Sequence, residues 1–420
     1  MGYALPPPPL DVDALIDDRR TRTIVCCGSG GVGKTTTAAA LGLRAAERGR
    51  NVVVLTVDPA RRLAQSMGLT SLDNTPRPVP GAATPATGAP DEDIQQNGTT
   101  GAGSLHAMML DMKRTFDEIV EAHADPDRAA QILANPFYQS LSSGFSGTQE
   151  YMAMEKLGQL RRADEWDLIV VDTPPSRSAL DFLDAPQRLG RFLDGRLLRL
   201  LVAPAKFGGR AGLRILNAGF GVVTGIVTKI LGGQMLRDVQ TFVSAMDTMF
   251  GGFRERAEYT YRLLRAPGTA FLVIAAPEPD ALREASYFVE RLAQEGMPLA
   301  GLILNRVHRP PATGLSAARS LAAAETLQAA NPAPGPARGP VAGRAAGERQ
   351  GQHNGAAVSL AIAALRLHAE RMQLVALERR LAEHFTAAHP LVPVAEILAQ
   401  PDDVHDLAGL RVIGTAFGHE

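Results

Sequence analysis

The sequence predicts an α/β fold, a doubly wound, mostly parallel sheet with an inserted α-helical subdomain. Two observations carry that prediction. Short apolar runs bounded by Gly, Pro, Asp or Asn alternate with longer amphipathic stretches along much of the 420 residues, the pattern of strands covered on both faces by crossover helices. One run leads directly into the glycine-rich stretch "GSGGVGKTTT" at 28–37, placed between a strand and a helix as a phosphate-binding loop is.

The predicted strands are, in order, "TIVCC" at 23–27, "NVVVLTVD" at 51–58, "DLIVVD" at 167–172, "AFLVIAA" at 270–276, "GLILN" at 301–305 and "PLVPV" at 390–394. Each is short and rich in β-branched or aliphatic residues, which suits a sheet buried on both sides. Residues 105–163 and 176–265 show helical patterning without strand signals and are expected to form the helical subdomain. The run 356–385 reads as a further amphipathic helix that packs on the sheet. Residues 74–104 and 331–355 are rich in Pro, Gly and Ala and are expected to be disordered insertions, because they bury too little to offset their ordering entropy. Residues 1–20, with "PPPP" at 6–9, read as a flexible arm ahead of a single domain at 21–420.

A chain with 45% hydrophobic residues can bury a large core. Its 43 Lys and Arg against 44 Asp and Glu give a net charge of -1, so no global charge argues for nucleic acid or an anionic membrane. Any membrane contact is expected to be peripheral, since no long uninterrupted apolar run is present. The N-terminus lacks a basic stretch followed by an apolar core, so no secretory signal is expected. Cys26 and Cys27 are adjacent and suit neither a disulfide framework nor a zinc clasp, which fits a reducing cytoplasm.

Gly28, Gly33, Lys34 and Thr35 satisfy G-x-x-x-x-G-K-[ST], the loop of a P-loop NTPase. Ser29, Gly30, Gly31, Val32 and Gly33, with Thr36 in the first helical turn, are the expected nucleotide-binding positions, their backbone N–H groups closing around a phosphate. Lys34 can reach the outer phosphates, and the Thr35 hydroxyl can sit on Mg²⁺. Asp172, at the end of "LIVVD", is a second candidate for Mg²⁺; capping a following helix is a weaker role there because Pro174 and Pro175 intervene. Asp58 in "TVDPARRL" can position or deprotonate an attacking water. Capping a helix that starts at Pro59 is an equally physical role, and local sequence leaves the two open. The cofactors expected are Mg²⁺ and a nucleotide, which the resemblance described next implies is ATP, without zinc.

Five blocks in this order, "GSGGVGKTTT", "VDPARRL", "VVDTPPSRSALDFL", "APEPDALREASYFVERL" and "GLILNRV", resemble the arsenite-pump-driving ATPases and the ATPases that target tail-anchored membrane proteins. Both belong to the deviant Walker A NTPases. The resemblance implies an ATP-dependent dimer, homodimer or heterodimer with a paralogue, whose nucleotide state opens or closes a groove between helical subdomains. It implies that Asp58 positions the water, that Asp172 to Ser178 form a second switch, and that Asn305 hydrogen-bonds adenine. It also implies that the segment from Pro393 to Ile397 helps to enclose the base.

Three departures limit what is carried over. Ser29 stands where this class has a lysine that reaches the partner's nucleotide, so hydrolysis is expected to be weak or partner-dependent while binding survives. Arg177 and Ser178 replace a Gly and a His of the second switch; Arg177 either supplies charge in cis or solvates a helix end. Soft thiolates are absent outside the first strand, which disfavours arsenite binding.

In the helical region, Arg188, Arg191, Arg196 and Arg199 share one face and Leu189, Leu193 and Leu197 the opposite one. Such a helix suits lipid headgroups or an acidic partner, or is a core helix with a solvated face. The apolar, glycine-rich stretch 215–236 is either the wall of a groove for a hydrophobic client protein or a packed core helix. The function expected is a Mg-ATP-dependent ATPase that handles a client. The alternatives are a non-hydrolysing nucleotide-binding subunit and a membrane- or chromosome-positioning ATPase; the tail at 402–420, short of basic residues, argues against a membrane-binding terminal helix.

Overall fold

The computed structural model describes residues 7–58, 62–82, 103–136, 138–139, 142, 148–174, 250–331 and 347–418. Eight strands form one sheet: β1 (Thr23–Gly28), β2 (Asn51–Thr56), β3 (Arg77–Pro78), β4 (Ser104–Met109), β5 (Leu168–Asp172), β6 (Thr269–Ala275), β7 (Leu299–Val307) and β8 (Val394–Leu398). Their order is β3-β4-β2-β5-β1-β6-β7-β8, parallel throughout except for β3 against β4. Every residue of β1, β5 and β6 is buried, as the continuous apolar runs require.

The helices are α1 (Val12–Asp17), α2 (Lys34–Glu47), α3 (Arg62–Ser66), α4 (Met112–His123), α5 (Pro126–Leu133), α6 (Thr148–Ala163), α7 (Phe250–Arg265), α8 (Pro279–Gln294), α9 (Ala317–Ala330), α10 (Gly347–Ala388) and α11 (Leu407–Thr415). Side-chain caps mark many of their starts: Asp111 accepts from the Arg114 N–H, Asp125 from Arg128, Ser316 from Arg319 and Asp406 from Gly409. Helix α2 packs across β1, β5, β2 and β4, while α8 packs across β1, β6 and β7. After β1 the chain steps past the place of β5 to β2, and after the helical region it resumes at β6 on the other side of β1. The carboxyl end of β1 is therefore the switch point at which open α/β sheets bind ligands.

Several expectations are corrected here. The arm at 1–20 is ordered from residue 8 onward: the Val394 N–H donates to the Pro8 carbonyl, and the Leu10 N–H donates to that of Val394. Leu10, Val12 and Ile16 are buried, and Asp13 and Asp17 pair with Arg44 and Arg48 of α2. Their apolar spacing outweighs the neighbouring prolines. The stretch 74–104 begins with fixed structure, since Asn74 is buried and bonded to Thr115, Glu118 and the Asp111 N–H. Strand β4 opens a region expected to be purely helical. Its "SLHAMM" carries little β-branched character, yet it pairs in parallel with β2 along its whole length.

The last predicted strand lies later in the chain than expected, at 394–398 rather than 390–394. Helix α10 starts at 347, inside the second expected insertion. It pairs chiefly with α9 as a hairpin rather than lying on the sheet, and Leu360 and Leu367 on it are 72% and 68% exposed. Its tie to the sheet is Glu378, which accepts from the His308 N–H at 2.9 Å and contacts that ring's Nδ1 at 2.5 Å. The basic helix, the glycine-rich stretch 215–236, Arg177 and Ser178 lie outside the described residues. No described helix is long and apolar enough to cross a membrane.

Candidate functional site: the cradle at the end of β1

The loop between β1 and α2 closes on two glycines that admit no side chain. Gly28 has φ 150°, and a Cβ there would stand 2.1 Å from the Ile274 carbonyl oxygen of β6. Gly33, the N-cap of α2, has φ 93°, and a Cβ there would stand 2.2 Å from Asn305 Nδ2. Gly33→Ala is therefore expected to lower Tm and to weaken nucleotide binding together, because the left-handed backbone and the clash both oppose it. A thermal melt with and without ATP checks this. Gly30 and Gly31 are exposed, Val32 is buried, and Ser29, Thr35 and Thr36 are half-buried.

Lys34 begins α2 and is only 5% exposed. Its ammonium donates to the carbonyls of Gly28 at 2.9 Å and Ser29 at 2.7 Å. Burial lowers its pKa, and the negative charges of Asp172 and Asp58 act against that shift. A buried cation held by neutral carbonyls is well placed to accept an anion at a helix N-terminus. The Ser29 hydroxyl reaches no further than the Gly30 carbonyl at 3.5 Å and brings no charge.

Beside the loop, Asp172 ends β5 in register with Cys26 of β1 and Thr56 of β2. It is fully buried. Its Oδ2 accepts from the hydroxyls of Thr35 at 2.7 Å and Thr56 at 2.9 Å. Its Oδ1 has no hydrogen-bond partner among the described residues. Burial pushes its pKa up to about 6, against the lowering effect of the two hydroxyls and Lys34. A buried carboxylate oxygen left without a donor is costly in isolation. It is a suitable hard oxygen ligand for Mg²⁺, and the adjacent Thr35 hydroxyl is a second, so the residues present fit that ion.

Asp58 follows β2 at the same edge of the sheet, half-buried, and its N–H donates to the Thr56 hydroxyl at 3.2 Å. Its charge is felt by both Lys34 and Asp172. The structure thus brings Lys34, Thr35, Asp58 and Asp172 together. Thr173 is bonded back to the Cys26 carbonyl through its hydroxyl and its N–H, which fixes the start of the next loop.

Asn305 reaches the cradle as well, but with a contact of its own. Its Nδ2 donates to the Val32 carbonyl at 2.8 Å, and its Oδ1 accepts from the Arg306 N–H at 3.0 Å. Arg306 has φ 63°, at a register shift of β7 against β8. The amide of Asn305 therefore pins the phosphate loop in this state. Pro393 is a correction: its carbonyl accepts from the Leu302 N–H where β8 begins, and β8 runs parallel to β7. That places Pro393 at the amino edge of the sheet, opposite the cradle, because the predicted strand was set too early. Ile397 is buried within β8, and the segment that emerges at the cradle edge is Ala399, bonded to the Val307 carbonyl.

Sequence reasoning missed Thr56. The signal was present: residues two apart on a strand share a face, and Thr56 precedes Asp58 by two.

Comparison with known proteins gives one consistent result. Residues 21–328 match the anion-transporting ATPase family. "ATPase GET3" of Malassezia globosa is 24% identical over 309 residues, covering 72% of this chain and 78% of that protein. "ATPase ARSA2" of Chlamydomonas reinhardtii is 26% identical over 329 residues, 75% of each chain. "ATPase get3" of Schizosaccharomyces pombe is 23% identical over 307 residues, 73% of this chain and 80% of its own. The family match runs from the residues ahead of β1 into α9 and so takes in every group of the cradle; the chain belongs to the anion-transporting ATPase family.

Proposed function

We propose that the cradle binds Mg-ATP and that this chain hydrolyses it slowly on its own, using the cycle to rearrange a dimer that handles a hydrophobic protein segment in the cytoplasm. The observation that carries the reading is the pair of buried charges at the end of β1 and β5. Among the described residues, Lys34 is held by loop carbonyls, and Asp172 presents an oxygen without a hydrogen-bond partner. Membership in a family of ATPases and the names of the relatives support the reaction class. The client and the dimer rest on the resemblance described above.

In this reading the loop amides and Lys34 hold the phosphates, and Thr35 and Asp172 hold Mg²⁺, which when bound neutralises charge on the outer phosphates. Asp58 orients the attacking water and draws its proton. Asn305 exchanges its bond to the Val32 carbonyl for the adenine, so base recognition and loop release are coupled. Arsenite is not the proposed cargo, because the described cysteines are the buried pair Cys26 and Cys27 inside β1.

Ser29 sets the rate. A cation contributed at the transferring phosphate is worth roughly three orders of magnitude or more in related phosphoryl transfers. Ser29→Lys is expected to raise turnover at least about tenfold, and Asp58→Asn to lower it about a hundredfold with ATP binding retained. Steady-state phosphate release with parallel nucleotide titration tests both. Tight binding without turnover in the native chain, restored by Ser29→Lys, would instead make the protein a subunit that depends on a lysine-bearing partner.

A further inference from the structure

Thr56 is buried at the last position of β2, 1% exposed, and touches both halves of the cradle. Its hydroxyl has a single proton, which goes to Asp172 Oδ2 at 2.9 Å, so its lone pair receives the Asp58 N–H at 3.2 Å. A directed chain of hydrogen bonds therefore runs from the Asp58 backbone through Thr56 to Asp172. Thr35 donates to the same Oδ2 from the loop side, and Oδ1 has no hydrogen-bond partner among the described residues. The Val57 N–H donates to the Asp172 carbonyl, so the backbone on either side of this link is also tied to β5.

We propose that Thr56 is a positioning residue for hydrolysis, whose hydroxyl ties the placement of Asp58 to that of the Mg²⁺-side carboxylate Asp172. The proposal rests on the reading of the cradle as a Mg-ATP site. Without the hydroxyl, the Thr56 bonds to Asp172 Oδ2 and to the Asp58 N–H are lost in one change. Asp58 then loses its hydroxyl link to Asp172 and is placed less tightly, with the Val57–Asp172 backbone bond still present, whereas the loop amides and Lys34 are untouched. Valine matches threonine in shape but can neither donate nor accept; serine keeps the hydroxyl and removes only the methyl.

The test compares the full-length native chain with Thr56→Val and Thr56→Ser in two assays. Phosphate release is measured against ATP and against Mg²⁺, and thermal stabilisation by a non-hydrolysable ATP analogue is measured in EDTA and in Mg²⁺. For Thr56→Val the expected result is a kcat lower by roughly ten- to hundredfold, as for other groups that orient metal ligands, with a higher Mg²⁺ requirement. KM for ATP should stay within about twofold, because ground-state phosphate contacts are intact. Stabilisation in EDTA should match native and the increment on adding Mg²⁺ should shrink, with Thr56→Ser close to native in every readout.

The proposal is overturned if Thr56→Val keeps native kcat and Mg²⁺ dependence, or if Thr56→Ser is as defective as Thr56→Val. It is also overturned if Thr56→Val loses analogue stabilisation in EDTA, which would mark a role in the fold alone. A native chain that shows the Mg²⁺ increment without turnover contradicts the hydrolysis reading, while the two variants still decide the Thr56–Asp172 link by that increment. A native chain without any nucleotide stabilisation overturns both.

Discussion

Lys34→Ala is expected to reduce ATP hydrolysis by roughly a thousandfold, the scale for removing a cation aimed at charge that develops on transferring phosphoryl oxygens. The free protein shows why the residue has no substitute in the cradle. Lys34 is 5% exposed, and its ammonium lies within 2.9 Å of two loop carbonyls. After the hydroxyls of Thr35 and Thr56, its charge also offsets part of the burial cost of Asp172. Alanine therefore removes the phosphate ligand and leaves Asp172 without its nearby positive charge, so the unliganded variant should also melt below native. Phosphate release and a melt in EDTA check the two effects. Native-like turnover in Lys34→Ala would remove the loop from the reaction.

Asp172→Asn carries the second largest effect, with the opposite sign on stability. The carboxylate is fully buried, burial pushes its pKa up to about 6, and one of its oxygens has no hydrogen-bond partner among the described residues. Asparagine keeps an oxygen to accept from Thr35 and Thr56 and removes the buried negative charge. In EDTA the variant is expected to melt no lower than native. In Mg²⁺ it should lose the extra stabilisation by ATP, and its kcat should fall by roughly a hundredfold or more, since the charge that holds the cation is gone. A destabilised apo variant that kept its Mg²⁺ response would contradict the metal-side role of Asp172. The two substitutions together separate a structural charge pair from a functional one, because a purely structural pair would destabilise from either side.

The central strands and the cradle loop were legible because one local rule decides each of them. Continuous aliphatic runs such as "LIVVD" and "AFLVIAA" have no alternative to burial on both faces, and they became β5 and β6. The loop motif fixes its own geometry through Gly28 and Gly33, whose φ values exclude other residues. Elements whose placement depends on distant partners were not legible. Strand β4 has weak propensity and exists because β2 offers it an edge. The α1 segment is held by Arg44 and Arg48 of α2 and by β8, none of them near it in sequence. Pro393 was misplaced for a related reason: Val392 and Val394 suggested a strand there, but pairing with β7 starts at Val394. In the cradle, Asp58 and Asp172 could be named from strand ends. Thr56 was missed although its spacing from Asp58 was visible, because its bond to Asp172 joins two strands that the sequence shows only separately.

The measurement closest to the central claim is a calorimetric titration of the native chain with ATP, first with Mg²⁺ and then with EDTA. Saturable binding that weakens when Mg²⁺ is withdrawn is the predicted result, since in the proposed reading Thr35 and Asp172 add the cation to a phosphate site built by Lys34 and the loop. Absence of binding in Mg²⁺, or binding indifferent to its removal, would contradict the account.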